Sequence, residues 1–176
     1  MKKNFIYLFM FTLGLVGLAG CGSDDDEPKV ETKAVATYSL AITDDVRLAC
    51  QAIEITWMGS DNRVNTSIIA GTNNWTQTVT TTKFDAKLGF KIRPIPKAEA
   101  DLTKESYDLR ISGAMSVSIS GESTSSRTFN RPSLVSQTNA TKSKAIRLLE
   151  DADGRGIAVI AEKDGSIDET TPSKIF

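Results

Sequence analysis

The chain has no histidine in its 176 residues. This removes the usual general base, the commonest zinc-binding nitrogen and the middle member of a serine triad. Cysteine is scarce as well. The two present, Cys21 and Cys50, are too few for the disulfide framework of a small secreted domain. Neither sign of charge dominates: 21 basic residues face 22 acidic ones, for a net charge of −1. No basic stripe interleaves with aromatic residues, so nothing in the chain reads as a nucleic-acid surface. A phosphate-cradling glycine loop and a nucleophile elbow are both missing as motifs. The apolar stretch Phe5–Gly17, interrupted by Thr12, is too short to span a bilayer as a stable helix.

What is present begins at the front. Lys2 and Lys3, that apolar stretch and the small pair Ala19-Gly20 have the layout of a secretory signal peptide over residues 1–20. Leu18-Ala19-Gly20-Cys21 resembles the bacterial lipobox, whose cysteine is acylated and becomes the first mature residue. The resemblance makes Cys21 the site of lipidation. One acyl chain binds a membrane only marginally, whereas several hold firmly; a triacylated Cys21 is a permanent anchor. Ser23, Asp24, Asp25, Asp26 and Glu27 resemble the export tag of surface lipoproteins of Bacteroidota. That implies a lipid-anchored protein of the outer membrane, exposed at the cell surface. The same acidic run is physically a solvated, self-repelling linker, and with Pro28 it marks residues 21–33 as a flexible tether. If Cys21 carries lipid, Cys50 has no disulfide partner. Next to Leu48 and Ala49 it reads as a small buried hydrophobe, with no base to make it a nucleophile.

From residue 34 onward the apolar pattern has period two. Ala34, Ala36, Tyr38, Leu40 and Ile42 share a face, as do Ile53, Ile55 and Trp57. A third run covers 63–70, and Trp75–Thr82 sets Thr76, Thr78, Thr80 and Thr82 on one side. Phe84, Ala86, Leu88, Phe90 and Ile92 alternate with polar residues. Leu109, Ile111, Gly113, Met115, Val117 and Ile119 do the same. Such alternation predicts strands with one face in a core and one in water. Gly59–Asn62, Gly71–Asn74 and Pro94-Ile95-Pro96 punctuate the runs. Residues 121–137 read as an ordered loop or a ragged edge strand. Asn139–Glu150 reads as a short helix with Asn139 as its N-cap, a hairpin strand over 144–150 being the alternative. Gly156–Glu162, apolar on both faces, reads as a central strand, and residues 168–176 as a weakly ordered tail.

Spacing near ten residues predicts one mainly-β domain over 34–167, an immunoglobulin-like antiparallel β-sandwich with one short helix. Uneven strand lengths favour it over a closed barrel. The layout resembles the small immunoglobulin-like sandwich surface lipoproteins of Bacteroidota, without the Cys…Trp…Cys core of antibody domains. The resemblance carries no catalytic residues with it.

Chemistry-bearing clusters are few. Asp151, Asp153, Gly156 and Glu162 match positions of a calcium-binding EF-hand loop. Arg155 stands where a ligand oxygen is needed, however, and the following run prefers a strand, so the segment reads as a turn and no metal is assigned. Asp44-Asp45 and Glu99/Asp101 are local acidic pairs outside the tether, and they read as solvated loop residues. Trp57 is in phase with Ile53 and Ile55 and reads as core; Trp75, at a strand start, is the candidate ligand platform. These observations predict no catalytic residue and no cofactor. They predict a non-enzymatic binding module for a glycan or a protein, with a structural accessory of a surface assembly or transporter as the alternative and a cryptic hydrolase as a third reading.

Overall fold

The computed structural model of the chain describes residues 30–176. Nine strands, β1 (Lys33–Ile42), β2 (Cys50–Met58), β3 (Val64–Ile69), β4 (Asn74–Thr81), β5 (Ala86–Pro96), β6 (Tyr107–Ser120), β7 (Ser125–Ala140), β8 (Gly156–Ala161) and β9 (Ile167–Thr170), form two antiparallel sheets. The first has the order β4-β1-β6-β7 and the second β3-β2-β5-β8-β9. The period-two residues do what their spacing predicts. Ala34, Ala36, Tyr38 and Leu40 of β1, Ile53 and Ile55 of β2, Leu88, Phe90 and Ile92 of β5, and Leu109, Ile111, Met115, Val117 and Ile119 of β6 are all buried between the sheets. The protein is a mainly-β sandwich.

The chain changes sheet at five of its eight strand-to-strand connections; the other three, β2–β3, β6–β7 and β8–β9, are hairpins. As a result β1 pairs with β4 in one sheet while β2 pairs with β5 in the other. Strands B/E and C/F have the same adjacency in the immunoglobulin arrangement. Here the long β6–β7 hairpin occupies the other flank of β1.

Two helices carry crossings between sheets. The one over Lys142–Glu150 (α2) buries Ala145 and Leu149, so the segment 144–150 is helix rather than hairpin strand. Its N-cap is Thr141, not Asn139. Asn139 takes a left-handed φ of 51° at the end of β7, where the pairing slips by one residue against β6. Its N–H donates to Asp108 Oδ1 at 2.8 Å. The other helix, Asp44–Ala49 (α1), is not in the sequence prediction; six residues are too few for a period to show. It forms because Val46 and Ala49 are buried under β6 and β2 and two aspartates occupy its positive first turn.

The ends of several elements also differ from the sequence reading. Pro94 and Pro96 lie inside β5 rather than beyond it. The Ile92 N–H donates toward Arg155, so the ring nitrogens two and four residues on face the same side. Paired β8 does not reach there, and no donor is missed. Of residues 121–137, the stretch from Ser125 on is the edge strand β7, with a second slip near Pro132 that turns Leu134 and Val135 inward. The segment after 167 is not weakly ordered. β9 pairs with β8, and Ile175 packs with Met58 and Ala158 on the outer face of the second sheet.

Within the core, the Tyr38 side chain ties the sheets together through hydrogen bonds. The β2–β5 ladder ends at Trp57 opposite Phe90. At the next step the Tyr38 hydroxyl, from the other sheet, donates to the Met58 carbonyl at 3.0 Å and accepts from the Gly89 N–H at 3.2 Å. Burial pushes its pKa well above the ordinary phenol value, despite the Gly89 N–H. Tyr38→Phe keeps the ring and leaves both backbone groups buried without a partner. It is expected to cost about 2–4 kcal/mol, read as a lower urea midpoint at unchanged slope. A loss under about 0.5 kcal/mol, the scale of a neutral surface change, would show that the bridge is dispensable.

Candidate functional site

Cys21 and the run Ser23–Glu27 lie outside the described residues. Among the described residues no helix is long and apolar enough to cross a membrane.

Cys50 is buried at the start of β2. Desolvation pushes its thiol up to about 12, only partly offset by Lys97. A neutral, enclosed thiol is a packing group. Native protein at pH 8 is expected to resist a maleimide or a disulfide reagent that labels Cys50 fully in denaturant. Stoichiometric labelling within minutes under native conditions would contradict the burial argument.

The acidic pairs are occupied with structure. Asp45 Oδ1 meets Lys104 Nζ at 2.7 Å, and its Oδ2 accepts the Asp108 N–H at 2.7 Å. These contacts lash α1 to the start of β6. Asp44 Oδ1 accepts from Asn73 at 2.8 Å and from Arg47 at 3.3 Å. Lys104 first, then the Asp108 N–H, hold the Asp45 carboxyl below its usual range, and Asn73 and Arg47 do the same for Asp44. Neither has the raised pKa that a general acid requires. Glu99 and Asp101 are exposed in a 3-10 turn.

A carboxylate with a lowered folded pKa contributes stability that is complete above its unfolded value, about 3.9 for Asp. That stability is lost as pH falls through the lower folded value. Asp45→Ala should therefore lower the urea midpoint at pH 7 and make little difference near pH 2. An equal deficit at both pH values would mean that packing, not the ionised carboxylate, is what the mutant lost.

The segment with EF-hand spacing is a turn followed by a strand. Arg155 donates from Nε to the Asp151 carbonyl at 3.1 Å and through its guanidinium to the Leu134 carbonyl at 2.7 Å. β8 then carries the chain away, leaving Glu162 past its far end, roughly 20 Å along at the usual rise per strand residue. Among the described residues no three acidic or thiol side chains converge as a metal cluster would require.

Both tryptophans pack against the core and both line a surface depression. Trp75 is partly buried, with its ring 6.0 Å from that of Phe90 at a tilt of 60°. It contributes to a trough of about 510 Å3 across the first sheet, at the level of Ser39–Ala41 and Ser112–Ala114. Small residues on the two central strands, Ser39, Ala41, Ser112, Gly113 and Ala114, line it. Trp57, read as core, does pack against the core. It also lines a groove of about 420 Å3 between the sheets.

That groove exists because the two flanks of the sandwich are built differently. On one flank β7 and β9 are stitched across the gap. Ser125 donates to the Gly165 carbonyl at 2.7 Å and Arg127 to that of Ile167 at 2.8 Å, while Arg131 pairs with Glu169. On the other flank the edges are β3 and β4, and neither contains a charged residue. Trp57 and Val79 reach the groove from β2 and β4, with Asn65 and Gln77 beside them. Gly59, Ser60 and Arg63 of the β2–β3 turn stand at one end; Thr78 and Thr80 form the β4 rim. The threonine row of β4 is thus the wet face that its alternation predicts.

The turn is held firmly. The Arg63 carbonyl accepts both the Gly59 N–H at 2.7 Å and the Asn65 side-chain amide at 3.0 Å. A Cβ at position 59 would run into that amide, so glycine is what lets Asn65 lie against the turn. The sequence reading missed Arg63, Asn65 and Gln77. Only a period-two phase that puts Asn65 and Gln77 on inward-facing positions of edge strands could have flagged them. No family model, curated protein or solved structure matches this chain.

Proposed function

We propose that the protein is a lipid-anchored surface protein of the outer membrane and acts as a non-enzymatic binding module through its open β3/β4 flank. The observation that carries this reading is the lipobox-like Leu18–Cys21 with the acidic run Ser23–Glu27 directly behind it. Several acyl chains on Cys21 would hold the chain at a membrane. The sandwich offers one flank closed by cross-sheet contacts and one left open with a tryptophan in its groove. The acidic pair Asp44-Asp45 is spent on Lys104, Asn73 and the Asp108 N–H, which favours binding over acid–base catalysis. No metal or cofactor enters the reading.

A second reading, an accessory subunit of a surface assembly, draws on β3. Val64 and Ile68 are 57% and 69% exposed on its outer face. An uncharged edge strand with apolar side chains can accept another strand.

Labelling with a fatty-acid analogue, followed by protease shaving of whole cells, tests the anchoring and display. Wild type is expected to take up label and to be shaved. Cys21→Ala should lose the label. Alanine at Asp24, Asp25, Asp26 and Glu27 should keep the label and become protected. Equal labelling of the Cys21 variant would overturn the anchor, and unchanged shaving of the alanine variant would reduce the acidic run to a linker.

A further inference from the structure

We infer that the groove between β3 and β4 is a saccharide site selective for a pyranose bearing an anionic substituent, a carboxylate or a sulfate. The inference rests on the reading of the protein as a binding module and supplies its ligand class.

The Trp57 indole N–H is committed to Ser67 Oγ at 3.0 Å. What Trp57 offers the groove is therefore ring surface rather than a donor. A pyranose presents a face of C–H groups bounded by hydroxyls. The Trp57 ring suits that face, over the buried Val79, and the polar groups around them suit the hydroxyls. Asn65 and Gln77 line it too; each donates one amide N–H to a backbone carbonyl, Asn65 to Arg63 at 3.0 Å and Gln77 to Thr78 at 3.1 Å, which leaves the amide oxygen and the second N–H for a ligand, with Ser60, Thr78 and Thr80 at the margins. An aromatic surface with a few fixed polar groups is the general composition of a small-ligand site.

Selectivity comes from Arg63. It is the one charged residue lining the groove among the described residues. It is exposed, and its guanidinium has no carboxylate partner among the described residues. The nearest acid in the turn, Asp61, is already engaged by Lys83 at 3.1 Å. The turn is also fixed from the other side, where Asn62 Oδ1 accepts the Lys87 N–H at 2.9 Å. Arg63 is thus an uncompensated, planar donor array on a braced turn, suited to bidentate contact with a carboxylate or sulfate.

The test uses the full chain in detergent, titrated with oligosaccharides bearing uronate or sulfate groups. Each is paired with its methyl ester or desulfated counterpart, and tryptophan fluorescence is the readout. At least one charged member is expected to bind at least ten-fold more tightly than its neutral partner, and more weakly as salt rises. Arg63→Ala should erase that preference while leaving the melting temperature unchanged, because Arg63 is an exposed turn residue. Trp75→Phe should keep the fluorescence response and Trp57→Phe should lose it. The inference is overturned if no charged member binds, if neutral partners bind equally well, or if Arg63→Ala binds as wild type does. Surface display does not enter this titration, so its failure is distinct from a failure of the labelling and shaving experiment.

Discussion

Tyr38 supplies the constraint on which the rest of the sandwich depends. Hydrophobic burial alone would allow two sheets to slide over each other, because it is not directional. A buried hydroxyl with one required donor and one required acceptor does not slide. The Tyr38 oxygen sits where Met58 and Gly89 would otherwise continue the β2–β5 ladder. It therefore fixes the height of β1 relative to both strands. The aromatic packing follows from that placement. Phe90, next to Gly89, has its ring 6.1 Å from Tyr38 and 6.0 Å from Trp75. The Phe90 ring also fills the space where a side chain at Gly113 would stand. Strands β1, β4, β5 and β6 thus meet at one point.

The strands were legible because each must keep one face dry, and that requirement is written every second residue. β1 and β6 show it without interruption, with Tyr38 and Met115 on the dry face, and β5 shows it apart from Gly89, which is buried beside the Tyr38 hydroxyl. What failed to show depended on contacts distant in sequence. α1 exists because Val46 and Ala49 find β6 and β2 to bury against, a fact outside any six-residue window. Asn139 has the chemistry of an N-cap, yet the carboxylate that claims its N–H is Asp108, on another strand. The tail looked loose because its apolar residues are few. Ile175 and Phe176 nevertheless find an apolar patch formed by Met58 and Ala158 on the outer face of β2 and β8.

The candidate site was less legible for a related reason. Sequence phase assigns a residue to the inner or the outer face, and it assigned Trp57 to the inner one. It carries no information on whether that inward position lies under a neighbouring strand or at the rim between two sheet edges. β2 is next to the edge, and at Trp57 the facing sheet has reached its own edge, β4. An inward residue there is half core and half groove. Trp75 is on the edge strand itself, but at the level of Leu40 and Gly113, where Phe90 reaches across to meet it. Both tryptophans are therefore half core and half surface: Trp75 meets Phe90 and lines the trough, and Trp57 lines the groove.

The contrast between the two flanks bears on function because exposed edges are hazardous. Native sheets guard their edges with charge, proline, bulges or short length. β7 carries Arg127, Arg131, Pro132 and two slips in register, and β9 is a short strand containing Asp168 and Glu169. Those guards also make the cross-sheet bonds, so a single set of residues both seals that flank and protects it. β3 and β4 have neither kind of protection: fourteen positions of serine, threonine, amides and apolar residues, with no charge. Charge could be added to their outward positions at little cost to the core, since Thr66, Thr76 and Thr78 are exposed. Among the described residues, the one cation lining the groove between them is Arg63, set back on the turn, with the nearby acid Asp61 paired to Lys83. An uncharged rim around one uncompensated cation concentrates the electrostatic attraction at a single point of the groove. That arrangement favours a ligand with one localised negative group on an otherwise neutral, hydroxyl-rich body over a uniformly charged surface.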